Sequence, residues 1–347
     1  MSFNLDKITR ENVKGLSPYS SARDEYVSDG SKMVFLDANE NPFENGVNRY
    51  PDPQQRGLKS ILAEQKEIKE ENILLGNGSD EVLDLLFRAF CEPGKDNVIT
   101  LPPTYGMYKV LSGINKVVNR AVLLDSDFQP NVEAILNTVD SNSKLLFVCS
   151  PNNPTGNSIS TEKIQQLLHS FPGLVIIDEA YIDFSSEQSW VSKLAEYPNL
   201  VVTQTLSKAY GMAGIRLGIC IASKQIIEVL NKIKPPYNVN ELTQQSAKER
   251  VSNQEAVEQE ITAILTERKL LKETLSEVSF VSKIYTSDAN FILAKVDDAS
   301  KRYDQLLEKG IVVRNRTTQP LCEHTLRFTV GTSDENKKLI SALKSIA

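Results

Sequence analysis

The sequence predicts an α/β protein: a three-layer, mostly parallel sheet covered by helices on both faces, followed by a smaller α+β domain. Short apolar runs, several rich in Val and Ile, alternate along the middle of the chain with stretches of helical periodicity. This alternation is typical of parallel strands joined by helices. The 347 residues also exceed one small module and fit about two domains.

The elements of the large sheet follow from these runs. Apolar residues recur at helical spacing at 81–90 and 161–170, which predicts a helix in each place. Buried strands are predicted at 98–101, 144–149, 174–177, 200–203 and 217–221.

The last third of the chain has a different pattern. One long helix is predicted at 254–278, where no Gly or Pro interrupts apolar residues spaced among charges. Short strands at 290–293, 311–314 and 326–330 follow, with a helix at 300–309.

Three segments are predicted from these changes of pattern. The first 30 residues lack a clear strand, so they are expected to form an arm that packs against the smaller domain or a partner subunit. The large domain is predicted at 31–250 and the small domain at 251–347.

Composition excludes several classes of function. With 39 Lys+Arg against 45 Asp+Glu, the net charge of -6 gives no sign of nucleic-acid binding. No stretch approaches the roughly 18 apolar residues of a membrane span, and the N-terminus has no apolar signal region. The four cysteines and two histidines form no metal motif. We therefore expect a cytoplasmic protein with reduced core thiols, no metal, and no nucleic-acid or membrane partner.

A glycine-rich segment, GNGSDE at 76–81, directly precedes the first predicted helix. Its glycines allow close backbone approach, and Ser79 or Asp80 can cap the helix. Free N–H groups in the first helical turn favour an anion such as phosphate. The segment matches neither the Walker loop nor the full GxGxxG pattern, so an ordinary loop and cap is the favoured explanation when the segment is taken alone.

Three polar side chains lie just past the ends of three predicted strands. Asn153 lies in a Pro-rich turn, Asp178 follows an apolar run, and Lys208 follows another. Each has an ordinary explanation, respectively a turn residue, a solvated carboxylate and a surface lysine. Because open parallel sheets bind ligands at the carboxyl ends of their strands, the three together predict one binding site.

These motifs resemble a known family. GNGSDE, PPTYGMY, PNNPTG, IIDEAY and TLSKAYGMAGIRLG occur in this order, and they resemble the fold type I aminotransferases that depend on pyridoxal 5'-phosphate. With RYPDP at 49–53 and LRFTVGT at 326–332, the chain resembles the histidinol-phosphate aminotransferase family from about Leu16 to its C-terminus. The resemblance implies amino transfer between L-histidinol phosphate and 2-oxoglutarate, giving imidazole acetol phosphate and glutamate, in histidine biosynthesis.

The resemblance also implies roles for individual residues. Lys208 would bind the cofactor aldehyde and move the proton, and Asp178 would pair with the pyridine nitrogen. Asn153 and Tyr181 would hydrogen-bond the ring oxygen, and Tyr105 would stack on the ring. Lys208, Asp178 and Tyr181 are thus the expected catalytic residues.

The cofactor phosphate would lie at the start of the first helix. The residues that the resemblance implies for it are Gly78, Ser79, Asp80, Ser207 and Arg216. Tyr50 would reach the phosphate bound by the partner subunit, which implies a homodimer with shared active sites.

Substrate recognition is expected to depend on arginines. Arg327 corresponds to the residue that usually binds a substrate carboxylate in this family, and its planar fork suits carboxylate or phosphate. Arg314 is thirteen residues upstream, the separation expected in histidinol-phosphate enzymes, although Arg316 could be the exposed member of the two. Tyr19 and Asn238 are expected to line the imidazole side, and Asn153 to contact substrate.

Two other interpretations stay open. An aromatic amino-acid aminotransferase or a threonine-phosphate decarboxylase would keep the fold and change the reaction. A non-catalytic binding protein would keep only the fold, but the intact Lys208, Asp178 and Arg216 argue against it.

Overall fold

The computed structural model describes residues 3–18 and 33–347, and its larger layer is a mixed seven-stranded sheet with the order β1-β7-β6-β5-β4-β2-β3. Strand β7 runs antiparallel to both neighbours, whereas the other adjacent pairs are parallel. The predicted α/β class with a mostly parallel sheet is therefore confirmed. The strands are β1 Ile73–Asn77, β2 Asn97–Thr100, β3 Val118–Ala121, β4 Ser143–Cys149, β5 Leu174–Asp178, β6 Leu200–Thr205 and β7 Leu217–Ala222.

Five of these strands correspond to the predicted apolar runs, whereas β1 and β3 were not predicted. Strand β1 has only three apolar residues before Gly76 and Asn77, so the glycine-rich motif obscured it. Strand β3 lies at the sheet edge, with exposed ends and a half-buried middle. An edge strand of this kind lacks the apolar run that identifies a buried strand.

Helices cover both faces of this sheet. Alternate strand residues point to opposite faces: Leu145 and Phe147 enter one core, and Leu146 and Val148 enter the other. The helices are α3 Arg56–Gln65, α4 Gly78–Phe90, α5 Met107–Ile114, α6 Val132–Thr138, α7 Thr161–Ser170, α8 Lys224–Asn231 and α9 Glu241–Ser252, after α1 Leu5–Ile8 and α2 Glu11–Lys14. Short 3-10 turns occur at Glu70–Asn72, Ile182–Phe184, Trp190–Lys193 and Ala213–Ile215.

A second sheet of four antiparallel strands, ordered β10-β11-β9-β8, has its own apolar core. The prediction of a strand at 311–314 was wrong for all but its last residue, Arg314. Arg314 belongs to the two-residue strand β10, which pairs with β11. The domain boundaries themselves stay a prediction. The elements are α10 Gln254–Ser276, β8 Val281–Ile284, β9 Phe291–Val296, α11 Ala299–Glu308, β10 Arg314–Asn315, β11 Thr325–Thr329 and α12 Ser333–Ser345.

Residues 3–18 pack against helices of the large domain and not against the smaller domain, which corrects that alternative for this part of the arm; packing against a partner subunit stays a prediction. Ile8 is buried in the core beneath α4 and α8. Arg10 N donates to Ala89 O at 3.1 Å, and its guanidinium bonds Glu92. The apolar side chains of α1 and α2 thus pack against the nearest helices. The rest of the predicted arm lies outside the described residues.

Two further findings concern the described residues. All four cysteines are buried and free, as expected for core thiols. Within residues 3–18 and 33–347, no helix combines the length and the apolar character needed to cross a membrane.

Candidate active site

A cavity of about 460 Å³ opens at the carboxyl ends of β4, β5 and β6 and extends to the smaller sheet. The polar residues that follow the parallel strands lie at this edge of the sheet. The predicted site residues that line it are Ser79, Asp80, Tyr105, Asn153, Asp178, Tyr181, Ser207, Lys208, Arg216, Arg314 and Arg327.

Asp178 is the last residue of β5 and is only 3% exposed. Its Oδ2 accepts a hydrogen bond from the Tyr108 hydroxyl at 2.6 Å, and its Oδ1 accepts one from Ala180 N at 3.2 Å. Burial raises the pKa of Asp178, and the hydrogen bond from Tyr108 acts against this rise. These hydrogen bonds hold the carboxylate in place. Because a buried charge is costly unless it is paired, a cationic partner would stabilise the carboxylate.

Tyr108 is a site residue that the sequence analysis did not single out. Its ring is fully buried and stacks on Phe147 with centroids 4.8 Å apart. Tyr105 meets it edge-on and donates from its own hydroxyl to Asp80 Oδ1 at 3.1 Å. The second tyrosine of the PPTYGMY motif, one helical turn after Tyr105, was the available signal.

Lys208 follows β6 and is half-buried beside Tyr181, with its Nζ 5.7 Å from the tyrosine ring centroid. Burial lowers the pKa of the amine, and the positive charges of Arg327 and Arg216 lower it further. All three effects disfavour the ammonium form. The neutral, nucleophilic amine is thus more accessible here than on an exposed lysine.

The start of α4 and the loop before β7 form a cradle around Arg216. Gly78 N donates to Arg216 O at 2.8 Å, and Arg216 Nη2 lies 3.7 Å from Asp80 Oδ2. Gly78 does not line the cavity itself, but its φ is +77° and a Cβ there would lie 2.7 Å from Arg216 Nη2. The positive φ therefore favours glycine, and a Cβ here would push the end of the Arg216 side chain aside.

We expect Gly78→Ala to destabilise the fold by about 1–2 kcal/mol, because the left-handed conformation disfavours Ala. It should also displace the Arg216 guanidinium and weaken binding of the pyridoxal phosphate that the sequence resemblance implies, as measured by a fluorescence titration. Gly310→Ala is the matched control, since Gly310 has φ +76° with nothing within 4 Å of a Cβ. If both variants bind the cofactor equally well, the cradle does not depend on Gly78.

Tyr181, Asn153 and Arg327 form a chain of contacts across the cavity. Asn153 Nδ2 lies 3.4 Å from the Tyr181 hydroxyl, and Arg327 Nη1 donates to Asn153 Oδ1. Phe291 supports two of them: its ring lies 4.9 Å from Arg327 Cζ and meets the Tyr181 ring edge-on. Burial raises the pKa of Tyr181 to about 12, so its hydroxyl keeps its proton at neutral pH.

The two arginines near β10 line the cavity, whereas Asn238 and Tyr50 do not. Arg314 is exposed and Arg316 half-buried, which corrects the suggestion that Arg316 is the exposed member; both line the cavity. Asn238 lies outside this lining, because its amide bonds Leu75 O and Glu81 Oε2. Tyr50 also lies outside it and stacks on Tyr237 at 4.5 Å. The expectation for Tyr19 lies outside the described residues.

The fold and this site define an aminotransferase: the chain belongs to the class I and II aminotransferase family, whose model matches residues 31–343. More particularly, histidinol-phosphate aminotransferase from Flavobacterium johnsoniae is 67% identical to it over 344 residues, 99% of each chain. The enzyme of the same name from Christiangramia forsetii is 62% identical over 99% of this chain and 98% of its own.

Solved structures share the fold. The histidinol-phosphate aminotransferase of Clostridium acetobutylicum is 27% identical, with a TM-score of 0.80 over 86% of this chain and 91% of that one. The Sinorhizobium meliloti enzyme in complex with pyridoxal-5'-phosphate is 23% identical, with a TM-score of 0.79 over 86% of this chain and 84% of that one. The likeness to these structures identifies the fold type I aminotransferase architecture.

Proposed function

We propose that this protein transfers the amino group between L-histidinol phosphate and 2-oxoglutarate in histidine biosynthesis, with pyridoxal 5'-phosphate as its cofactor. The observation that carries the proposal is one cavity that is lined both by Lys208 and Asp178 and by Arg314 and Arg327. An amine nucleophile and a buried carboxylate suit the cofactor, and the guanidinium groups suit an anionic substrate.

The residues present fit the cofactor. Asp178 offers a buried carboxylate for a protonated pyridine nitrogen, and the cradle of Gly78 and Arg216 offers a site for a phosphate at the start of α4. When bound, pyridoxal phosphate supplies the electron sink that stabilises negative charge at the substrate α-carbon. Ser79, Asp80 and Ser207, which line the same cavity, would complete the phosphate site.

Each side chain then has a defined task. The amine of Lys208 would hold the cofactor through its aldehyde and, once free, would act as the base that moves the proton at the substrate α-carbon. Asp178 would keep the pyridine nitrogen protonated. Tyr181 and Asn153 would hydrogen-bond the ring hydroxyl oxygen, and Tyr105 would pack on the ring. The lowered pKa of Lys208 suits this proton transfer because the amine is a base when it is neutral.

A homodimer belongs to this proposal. Tyr50 is half-exposed and lies outside the cavity of its own chain, as expected of a residue that contacts the phosphate bound by the partner subunit. Exposed apolar side chains that precede it in the sequence, Val34, Leu36 and Phe43 among them, support a subunit interface. A cytoplasmic location stays a prediction.

A panel of amine donors tests the proposed reaction. Histidinol phosphate, histidine, phenylalanine, tyrosine and threonine phosphate are each offered with 2-oxoglutarate, and glutamate and carbon dioxide are both measured. We expect glutamate formation with the highest kcat/KM for histidinol phosphate. Preference for phenylalanine or tyrosine would identify an aromatic amino-acid aminotransferase, and carbon dioxide release from threonine phosphate a decarboxylase.

Arg327→Lys should weaken the reaction with histidinol phosphate and with glutamate, because an ammonium group cannot reproduce the planar fork. The loss of charge-assisted hydrogen bonds worth roughly 1.5–3 kcal/mol corresponds to about a 10- to 100-fold fall in kcat/KM. Half-reaction kinetics with each donor measure it. Impairment with glutamate alone would reject a pocket shared by phosphate and carboxylate.

Arg302→Lys is the matched control for this substitution. Arg302 also makes a fork, to Asp297 at 2.9 and 2.8 Å, and its Cζ lies 4.1 Å from the Phe280 ring centroid. It lies outside the cavity lining. We expect this control to lose stability and keep its kinetics.

Arg314→Ala, by contrast, should impair the reaction with histidinol phosphate more than the reaction with glutamate.

A further inference from the structure

Three arginines meet on one face of the smaller sheet. Arg314 and Arg327 are directly opposite each other in the pairing of β10 with β11. Arg316 comes two residues after Arg314, and its N donates to Thr325 O at 2.9 Å, which continues the pairing. Because residues two apart and residues directly opposite share a face, all three guanidinium groups line the cavity.

This arrangement is unfavourable for the protein by itself. Like charges directly opposite each other destabilise a sheet, and here a third positive charge is added. Burial lowers the pKa of Arg327 to about 10, and the charges of Arg316 and Arg314 contribute to the lowering. The pKa of Arg316 is lowered by burial and by Arg314. Among the described residues, the groups that act against this lowering are Tyr181 for both arginines and Cys322 for Arg316, and neither is a carboxylate.

The polar groups of this cluster are also incompletely satisfied. Among the described residues, the buried Nε atoms of Arg316 and Arg327 have no hydrogen-bond partner. The two carboxylates that line the cavity are engaged elsewhere, since Asp80 accepts from Tyr105 and Asp178 from Tyr108. Buried donors without partners indicate a place where a ligand supplies the acceptors.

We propose that Arg316 is a specificity-determining residue that makes this pocket prefer a doubly charged anion, such as a phosphate monoester dianion, over a singly charged one. The preference for a phosphorylated amine rests on the proposed function, whereas the charge preference belongs to the pocket itself. Three positive charges gain more from two negative charges than from one, because the ligand reduces the repulsion among the arginines as well as pairing with them.

The charge preference is tested with two anions of the same shape. Methyl phosphate is a dianion at pH 8, since the second pKa of a phosphate monoester is about 6, and methyl sulfate is a monoanion. Calorimetry with the cofactor-loaded enzyme gives the Kd of each, and the ratio of the two Kd values measures the preference. Loading keeps the cofactor's own phosphate site filled.

We expect the natural protein to prefer methyl phosphate by about tenfold or more, and Arg316→Gln to reduce that ratio about fivefold or more. Arg316→Lys should retain most of the ratio because it keeps the charge. Arg88→Gln removes the same net charge from an exposed position on α4 and should leave both Kd values unchanged. Because the backbone N and O of Arg316 make the hydrogen bonds that hold this turn and the substitution reduces the repulsion, the thermal midpoint of the Gln variant should be unchanged or slightly higher.

An unchanged ratio in Arg316→Gln would overturn the proposal, even if both Kd values rose together, because a pocket-shaping role would have that effect. Equal loss of the ratio in the Lys and Gln variants would also overturn it, since charge would not be the cause. The outcome is separate from that of the proposed function. An enzyme that did not use histidinol phosphate as an amine donor in the panel could still show the charge preference with these two anions.

Discussion

Replacing Lys208 with Ala is expected to abolish amino transfer and leave the fold intact. The substitution removes the amine that binds the cofactor and the group that carries the proton, and we expect a fall in kcat of at least about 10⁴-fold. It also removes a half-buried cation that repels Arg327 and Arg216, so the thermal midpoint should be unchanged or slightly higher. Glutamate formation from histidinol phosphate and 2-oxoglutarate measures the loss of activity. A thermal melt measures the change in stability.

The position of the covalent link provides an independent measurement. Borohydride treatment of the loaded natural protein, followed by peptide mapping, should find the cofactor on the peptide that contains Lys208. Lys283→Ala serves as the control, because Lys283 is exposed on β8 and lies outside the cavity lining. A cofactor found on another lysine, or full activity in Lys208→Ala, would show that Lys208 has a different role.

The second large effect is expected for Asp178→Asn, which should retain the cofactor and lose activity by about 10³-fold or more. A neutral amide can still accept the hydrogen bond from Tyr108, but it cannot stabilise a pyridinium by charge. The protein should therefore keep its structure and lose the electron withdrawal that the ring needs. Single-turnover conversion of the bound cofactor to its amine form measures the loss.

Glu179→Gln is the matched control for Asp178→Asn. Glu179 is the next residue and is also a buried carboxylate, but its hydrogen bonds come from Ser189, Trp190 N and Gln204 at 2.6–2.8 Å and not from the cavity. Its substitution should lower the free energy of unfolding while the folded enzyme keeps its rate. Equal loss of rate in both variants would assign Asp178 a structural role only.

The positions of Asn153, Asp178 and Lys208 were predictable because they depend on chain topology. Each follows an apolar run, and parallel strands bring the residues that follow them to one edge of the sheet. Val175 to Ile177, for example, are fully buried on both faces, which is why their sequence is a continuous apolar run. The long helix at 254–278 was equally clear, since it matches Gln254–Ser276 within two residues.

The features that could not be predicted depend on side-chain contacts between distant segments. The Tyr108 hydroxyl meets Asp178 only after α5 has packed on the sheet, and nothing in its local sequence indicates this. The burial of Arg316 relative to Arg314 depends on where a two-residue strand ends. Placement of residues 3–18 on the large sheet likewise depends on which apolar surface α4 and α8 leave uncovered.

The antiparallel strand β7 has a consequence for how the enzyme tolerates change in its chain length. Lys208 and Arg216 lie at the two ends of one loop, which is closed where Leu206 N donates to Leu217 O at 3.1 Å and Thr205 Oγ1 bonds the same oxygen at 3.1 Å. The amine of Lys208 and the guanidinium of Arg216 are thus fixed to neighbouring, directly paired strands. Natural variants and engineered insertions should accumulate elsewhere, at sites such as the exposed edge β3, because an added residue between 208 and 216 would shift the two proposed points of cofactor attachment relative to each other.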